Sequence, residues 1–401
     1  MNVQDIERVY YFRWWTFRKH IKLVTNSPVF SKPIHVITEF LPNVSWAGIY
    51  NTISCAAGHH FREGRWLHDE RYLDDYSRFW AKEGNPRHYS FWFADSIRNR
   101  GFVTSPNAAL ITEILPGLVA NFEAIRLTNF NATVGLYFNT DNRDGMEFSA
   151  GGSEATQGYR PTLNSYQYAE AMALSKIFGA RGQLIKSATY LSIAQTLKSV
   201  MDQRLWDNSS SFYKVLPKKP KQPLETIALV DVKELLGYTP WYFGIPSPEK
   251  SIAWNELLSM KGFVAPYGLT TCIQRHPKFA IEYSTTHECR WNGPVWPYAT
   301  SMTLTALGKF LNSPSVSTAN SVTSGVTGTG MAASTTTSAS TNASTSISIK
   351  ETNISSQQSV SKATYLEQMK IYAKSHVRVR EIDNKTISWI DENQHPYTGM
   401  E

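Results

Sequence analysis

The stretch QRLWDNSSSFYKVL, residues 203–216, decides how the rest of the chain is read. An apolar, helix-periodic segment stops at Leu205-Trp206-Asp207. A polar turn of Asn and Ser follows, and the chain resumes with the aromatic pair Phe212-Tyr213. Asp, Asn and Ser side chains satisfy turn backbone that a helix no longer serves, so a helix should end here and hand over to an ordered aromatic return.

Outward from that stretch, helical periodicity dominates. The spacing of apolar residues predicts helices over about 5–23, 70–83, 88–100, 106–125, 164–179, 183–206, 229–237, 249–259, 297–312 and 362–381. Ser105-Pro106 reads as a cap followed by a proline at the first helical position. Thr162–Ser165 lead into YQYAEAMALSKIFGA, with Gly179 as its stop. Strand signals are short: HVITEF at 35–40 and GLYF at 135–138. Many helices separated by uneven loops rich in Trp, Tyr, Gly and Pro predict an all-α fold, a toroid of paired helices around a central cleft.

Composition fits such a cleft. Of 401 residues, 42% are apolar, enough for a large core. Only 18% are charged while 13% are aromatic, a balance that suits surfaces on which sugar rings or other flat ligands stack. The net charge of +7 is partly local, in YYFRWWTFRKHIK and LPKKPKQP. The first of these also reads as a helix with an aromatic and a basic face, and no nucleic-acid motif accompanies it, so no nucleic-acid partner is expected. Cys55, Cys272 and Cys289 form no CxxC pair. No run of eighteen apolar residues and no signal-peptide h-region occurs, so neither a membrane span nor a leader is expected, and a cytoplasmic location is the default. Sequons stand at Asn43, Asn131, Asn208, Asn342, Asn353 and Asn384. From 313 to 361 the chain turns Ser/Thr/Ala-rich and nearly chargeless. Such a tract is expected to be a disordered insertion within one domain spanning 1–401. The residues do not indicate an oligomeric state.

Three segments carry candidate chemistry. In DNRDGMEFSAGG (141–152), Asp144 and Glu147 lie in a glycine-flanked loop that can aim a carboxyl into a cleft, where apolar neighbours would raise its pKa. In SWIDENQHPYTGM (388–400), Asp391 and Glu392 precede a His-Pro turn. Two carboxyl groups across a cleft are the minimum for cleaving a glycosidic bond. WNGPVWPYAT (291–300) packs Trp291, Asn292 and Trp296 among glycine and prolines, a rigid wall or a costly piece of core. Trp92 and Asp95 sit about one helical turn apart, suited to stacking a sugar and gripping its hydroxyls, or to a core Trp beside a surface Asp. His59, His60 and Asp69 form a polar cluster. His287, Glu288 and Cys289 are adjacent residues that cannot easily converge on one ion, so no metal is expected, and no cofactor motif is present.

Taken together, these segments resemble the six-hairpin (α/α)6 glycosidases, especially glycoside hydrolase family sixty-three and its mannosylglycerate-hydrolase-like relatives. The 203–216 helix exit recurs in such barrels. WNGPVWP resembles that group's W-R-G-P-V-W-P wall, with Asn292 in place of Arg. DGMEFS resembles S-G-x-D-x-S, which puts Glu147 at the position of the acid and Asp144 at that of the Ser; RPTLNSYQYAEA then follows as the next helix, opening on Arg160. DENQHPYTG resembles E-x-x-x-P-x-T-G, which puts the base on Glu392. The resemblance implies an (α/α)6 toroid, a two-carboxylate hydrolase of the inverting kind acting on an α-linked sugar, and no cofactor. Trp92, Asp95, Trp291, Asn292, Trp296, His59 and Arg160 would bind the sugar. It also implies that relatives carry a β-rich N-terminal domain and further sequence after the base, so the chain is expected to be a fragment or a truncated gene, its toroid incomplete at both ends. A phosphorylase or lyase on the same toroid, and a sugar-binding chain without activity, stay open.

Overall fold

A computed structural model describes residues 3–104, 107–152, 157–219, 221–281, 289–313, 359–380 and 382–399. The Ser105-Pro106 cap, His287, Glu288 and most of the 313–361 tract lie outside the described residues. Among the described residues the fold is an all-α (α/α)6 toroid, built on α1 (Val3–His20), α2 (Ser54–Gly64), α3 (Arg71–Lys82), α4 (Phe93–Arg100), α5 (Ala108–Asn129), α6 (Pro161–Ala180), α7 (Leu184–Arg204), the short α8 (Thr239–Tyr242), α9 (Pro297–Leu311) and α10 (Lys362–Lys374). Packing runs from α2 to α4, α6, α8 and α9, and α10 leads from α9 back to α1. Helices α3, α5 and α7 lie outside this ring, with α7 laid along α6.

Helix α6 shows why the ring has an inside. Pro161 opens it with its fixed φ, and Thr162, Asn164, Ser165, Gln167 and Glu170 are buried along with its apolar residues. A helix with so little exposed surface has neighbours on every side. By contrast, α7 buries only Tyr190, Ala194, Leu197 and Met201, a single stripe. Helix α5 starts on Asn107, whose side chain accepts from Ala109 N at 2.8 Å. By length and a mean hydropathy of 1.4 it could cross a membrane, although no eighteen-residue run is purely apolar. Its Leu110, Ile114, Leu118 and Phe122 are buried in the core, and a core helix meets the same test. Ser361 and Thr364 close a capping box at the start of α10.

The 203–216 stretch forms a two-strand return. Trp206-Asp207 pair antiparallel with Phe212-Tyr213, and Asp207 holds Ser209 N at 2.9 Å across the turn. The same device follows three other helices: Ile21–Val24 pair with Ile34–Ile37 after α1, Phe130-Asn131 with Leu136-Tyr137 after α5, and Val377–Arg380 with Lys385–Ser388 after α10. The loops that leave the hairpins after α1, α5 and α10 build the candidate site.

Several elements differ from expectation. Helix α2 was not foreseen, because its apolar positions are interrupted by His59, His60, Arg62 and Glu63. Residues 88–92 are loop, and the two segments near 229–259 form 3-10 turns at Leu235–Tyr238 and Pro248–Leu257 instead of α-helices. The last predicted helix ends at Lys374, where β-branched Val377 and Val379 open the hairpin.

Candidate active site

The WNGPVWP segment is the hinge of the site, joined by backbone hydrogen bonds to both acidic loops. Trp291 N donates to Glu147 O at 3.0 Å. Val295 and Gln394 exchange both backbone hydrogen bonds at 2.9 Å, while Val295 also bridges to Thr270. Gly293 lets the segment lie close against Ala280, since a Cβ there would come 1.9 Å from Ala280 O. Three segments far apart in sequence are thereby stapled together.

Trp291 and Trp296 stack with ring centroids 4.3 Å apart, and Trp296 Nε1 donates to Arg290 O at 2.7 Å. Both rings are buried, yet their faces wall a cleft of roughly 540 Å³ together with Glu39, Cys55, His59, His60, Tyr298 and Glu392. WNGPVWP is therefore both wall and core. Asn292 is half-buried, its carbonyl accepts from Ala280 N at 3.1 Å, and its side chain is not part of the cleft lining.

Within the acidic loop, Asp144 and Glu147 part company. Asp144 is fully buried and accepts from Ser90 Oγ at 2.7 Å, Asn139 Nδ2 at 2.7 Å, Arg160 Nε at 2.6 Å and Thr162 Oγ1. Every lone pair is occupied, so this carboxylate holds the loop to α6 and has none to spare for a substrate. Arg160 is equally buried and is committed to that pair. Glu147 is only half-buried, carried on the segment where Gly145 (φ 67°) and Phe148 (φ 54°) both take left-handed backbone. A non-glycine residue in that region marks strain held by its surroundings. The Arg290 guanidinium lies 5.2 Å over the Phe148 ring.

The C-terminal loop divides its acids in the same way. Asp391 is buried, paired with Arg378 and accepting from Trp389 Nε1 at 2.7 Å. Glu392 faces the cleft, with Cys289 Sγ 4.0 Å from its Oε1. Burial holds the Cys55 thiol well above its ordinary value, and the charges of Glu39, Glu147 and Glu392 push it the same way. Glu39 and Glu392 line the cleft with Cys55, whereas Glu147 is not part of its lining.

Glu39 was not anticipated. It stands two residues beyond the strand Ile34–Ile37, and burial, reinforced by the charge of Glu392, pushes its carboxyl up to about 7. Its Oε2 is 3.9 Å from His60 Nε2, but burial lowers His60 to about 3, so that ring is neutral at pH 7. The only trace in sequence is an acid closing an apolar strand, HVITEF, without the flanking glycines that mark the other loops.

Trp92 and Asp95 lie behind the cleft, outside its lining. Trp92 is packed under Gly58, where a Cβ would come within 2.2 Å of the indole, and against Tyr166, Tyr242 and Phe243. Asp95 is buried, raised to about 6 by burial, with its backbone N donating to Glu170 Oε1 at 3.0 Å. His59 lines the cleft between Trp92 and Tyr298, lowered to about 3 by burial. Asp69 pairs with Arg71 at the surface, away from His59 and His60. No group of three metal-ligating side chains occurs among the described residues.

A toroid with two acidic loops stapled to one tryptophan wall defines a class of carbohydrate-active barrel. The chain belongs to the mannosylglycerate hydrolase MGH1-like glycoside hydrolase domain family, matched over residues 49–401. Among solved structures it is similar to one titled "Sialidase", 31% identical with a TM-score of 0.78, covering 98% of this chain and 31% of that one. It is also similar to the family sixty-three mannosylglycerate hydrolase of Thermus thermophilus in complex with Tris, at 11% identity and a TM-score of 0.59, covering 98% and 95% of the two chains. Neutral trehalase of Saccharomyces cerevisiae shares the fold at 11% identity and a TM-score of 0.50, covering 72% of this chain and 67% of that one. The chain spans about a third of the length of the first of these. A search of curated proteins by sequence finds no match.

Proposed function

We propose that the chain hydrolyses an α-linked glycoside with inversion, Glu147 protonating the leaving oxygen and Glu392 deprotonating the attacking water. The observation that carries this reading is the double staple. Glu147 and the Glu392 loop are hydrogen-bonded to the two ends of one segment, whose Trp291 and Trp296 wall the cleft that Glu392 faces. Asp144 and Asp391, the neighbouring acids, are buried against Arg160 and Arg378, whereas Glu147 is half-buried and Glu392 exposed. As base, Glu392 is exposed at the cleft, where an attacking water can reach it. The proton released by water passes to Glu392 as the new C–O bond forms, and Glu147 delivers its own proton to the departing oxygen. Each carboxyl must then exchange its proton with solvent before the next turnover.

Hydrolysis of a panel of p-nitrophenyl α-glycosides tests the activity, and NMR of the first-formed anomer tests its stereochemistry. Release of the β-anomer supports inversion; release of the α-anomer rules it out, because only two successive displacements through a glycosyl-enzyme intermediate restore the α configuration. Glu39 offers a second reading for the acid, since it faces the cleft and keeps its proton up to about pH 7. Comparing Glu147→Gln with Glu39→Gln separates the two. Full turnover in Glu147→Gln with loss in Glu39→Gln would move the acid to Glu39.

A further inference from the structure

A second depression of roughly 290 Å³ lies where α2 ends against α1 and α9, and it shares Arg13, His59, Glu63 and Ser301 with the cleft wall. The two hollows are therefore neighbours that share part of one wall. The geometry points to this depression as a subsite for an acidic sugar residue of the substrate, its carboxylate or sulfate held by Arg62 and Arg65. The inference rests on the glycoside-hydrolase reading and adds to it the charge class of the substrate.

Arg62 lies in the last turn of α2 and Arg65 just beyond it, where the helix dipole favours cations. Both line the depression, and neither forms an ion pair among the described residues. The Nε of Arg65 is enclosed with no hydrogen-bond partner. The guanidinium groups of Arg62 and Arg65 can hold an anion through charge-assisted hydrogen bonds. Arginine presents a planar fork that fits a carboxylate or sulfate oxygen pair, which a surface lysine does not.

The surrounding charges agree. Lys309 stands behind the wall, donating to the Tyr242 carbonyl, and is lowered to about 8 by burial and then by Arg62. His59 is held neutral by burial, with His60, Arg13 and Arg62 acting in the same direction. Two carboxylates face the region. Glu63 is engaged by Arg13, and Asp95 is buried, with Lys309, Arg98 and Arg62 around it. The accessible wall is thus cationic.

Its remaining surface suits a sugar. Trp66 and Tyr10 line it and are 62% and 57% exposed, with Trp14 beside them. The Arg65 guanidinium lies 5.3 Å over the Trp66 ring, and that of Arg62 5.0 Å over Tyr242, so each fork is oriented by an aromatic plane. The hydroxyls of Ser301 and Thr305 complete the lining. Aromatic faces beside forked cations are what an acidic pyranose needs, the ring stacking while its charge is clamped.

Isothermal titration of the full chain with glucose, glucuronate and glucose 6-sulfate tests the assignment. At low salt either acid should bind at least tenfold tighter than glucose, with an advantage that shrinks as salt rises. Tight binding of glucuronate alone identifies a carboxylate site, and of the sulfate alone a sulfate site. Arg62→Gln/Arg65→Gln should bring the acids to parity with glucose, with thermal unfolding as the check on folding. If the double variant does not fold, each single variant should still cost the acids threefold or more. Equal binding of all three sugars by the wild type, or an acid preference that survives both substitutions, overturns the subsite. The two readings fail separately. Hydrolysis of neutral glycosides without any acid preference rejects the subsite alone. An arginine-dependent acid preference without any hydrolysis rejects the hydrolase reading alone.

Discussion

The two acidic loops make a controlled comparison, because each holds a pair of acids close in sequence and treats its members oppositely. In DNRDGMEFS, Asp144 is buried on Arg160, Asp141 is buried as well, and Glu147 is left half-exposed. In SWIDENQHP the Asp is buried on Arg378 and the Glu faces the cleft. In both, an arginine from elsewhere holds the shorter acid as a structural anchor, and the longer one is the more exposed of the two. The burial differs in depth, however. Both Asp144 and Arg160 are enclosed, whereas Arg378 keeps about a quarter of its side chain exposed.

The largest effect that tests this division belongs to activity. Glu147→Gln and Glu392→Gln should each lower kcat by about 10²–10⁴-fold, the range general acid–base catalysis supplies. Thermal unfolding should stay close to wild type in both. The buried acids should behave the other way round. Asp144→Asn leaves Arg160 charged and enclosed without its main partner, so stability should fall by about 3 kcal/mol or more in a urea titration. Asp391→Asn, at the shallower pair, should cost only about 1 kcal/mol in the same experiment. A turnover loss in Asp144→Asn at full stability would contradict the assignment of anchor and acid.

The comparison also shows how much could be read in advance. WNGPVWP, DGMEFS and DENQHP were legible because each sets tryptophans or acids beside a glycine or proline, residues that constrain backbone locally. Their convergence followed from the resemblance and is seen directly in the Trp291–Glu147 and Val295–Gln394 bonds. The burial of Asp144 was not legible, because it depends on Ser90, Asn139, Arg160 and Thr162, which reach it from separate segments. Trp92 and Asp95 have the right spacing for one helix face, but spacing does not say whether that face meets a cleft or the core. Glu39 had no local signal, since its environment is made by α2 and by Glu392, distant in sequence.

Glu39 sharpens the comparison further, because it is a third acid at the cleft with no arginine partner among the described residues. Its unfolded carboxyl titrates near 4.5, but in the folded chain it holds its proton to about 7. Between those values the unfolded state releases a proton that the folded state keeps, so this group makes the protein less stable as pH rises. The penalty is complete above pH 7 and should be on the order of 1–3 kcal/mol, reduced from the full shift by the open mouth of the cleft. The buried histidines act in the opposite sense. His59, His60 and His376 are each lowered to about 3, so they cost stability as pH falls below 6.5. Wild-type stability alone therefore mixes two opposed slopes. The difference between Glu39→Gln and wild type removes the histidine contribution, provided His60 is little changed. That difference should be near zero at pH 4.5 and grow in favour of the variant up to pH 8, measured by urea unfolding at each pH. In Glu392→Gln the neighbouring charge is gone, and the midpoint of Glu39 should move down toward the ordinary carboxyl value. A flat difference across this range would show that Glu39 is ionised in the folded protein, which would also remove it as a rival to Glu147.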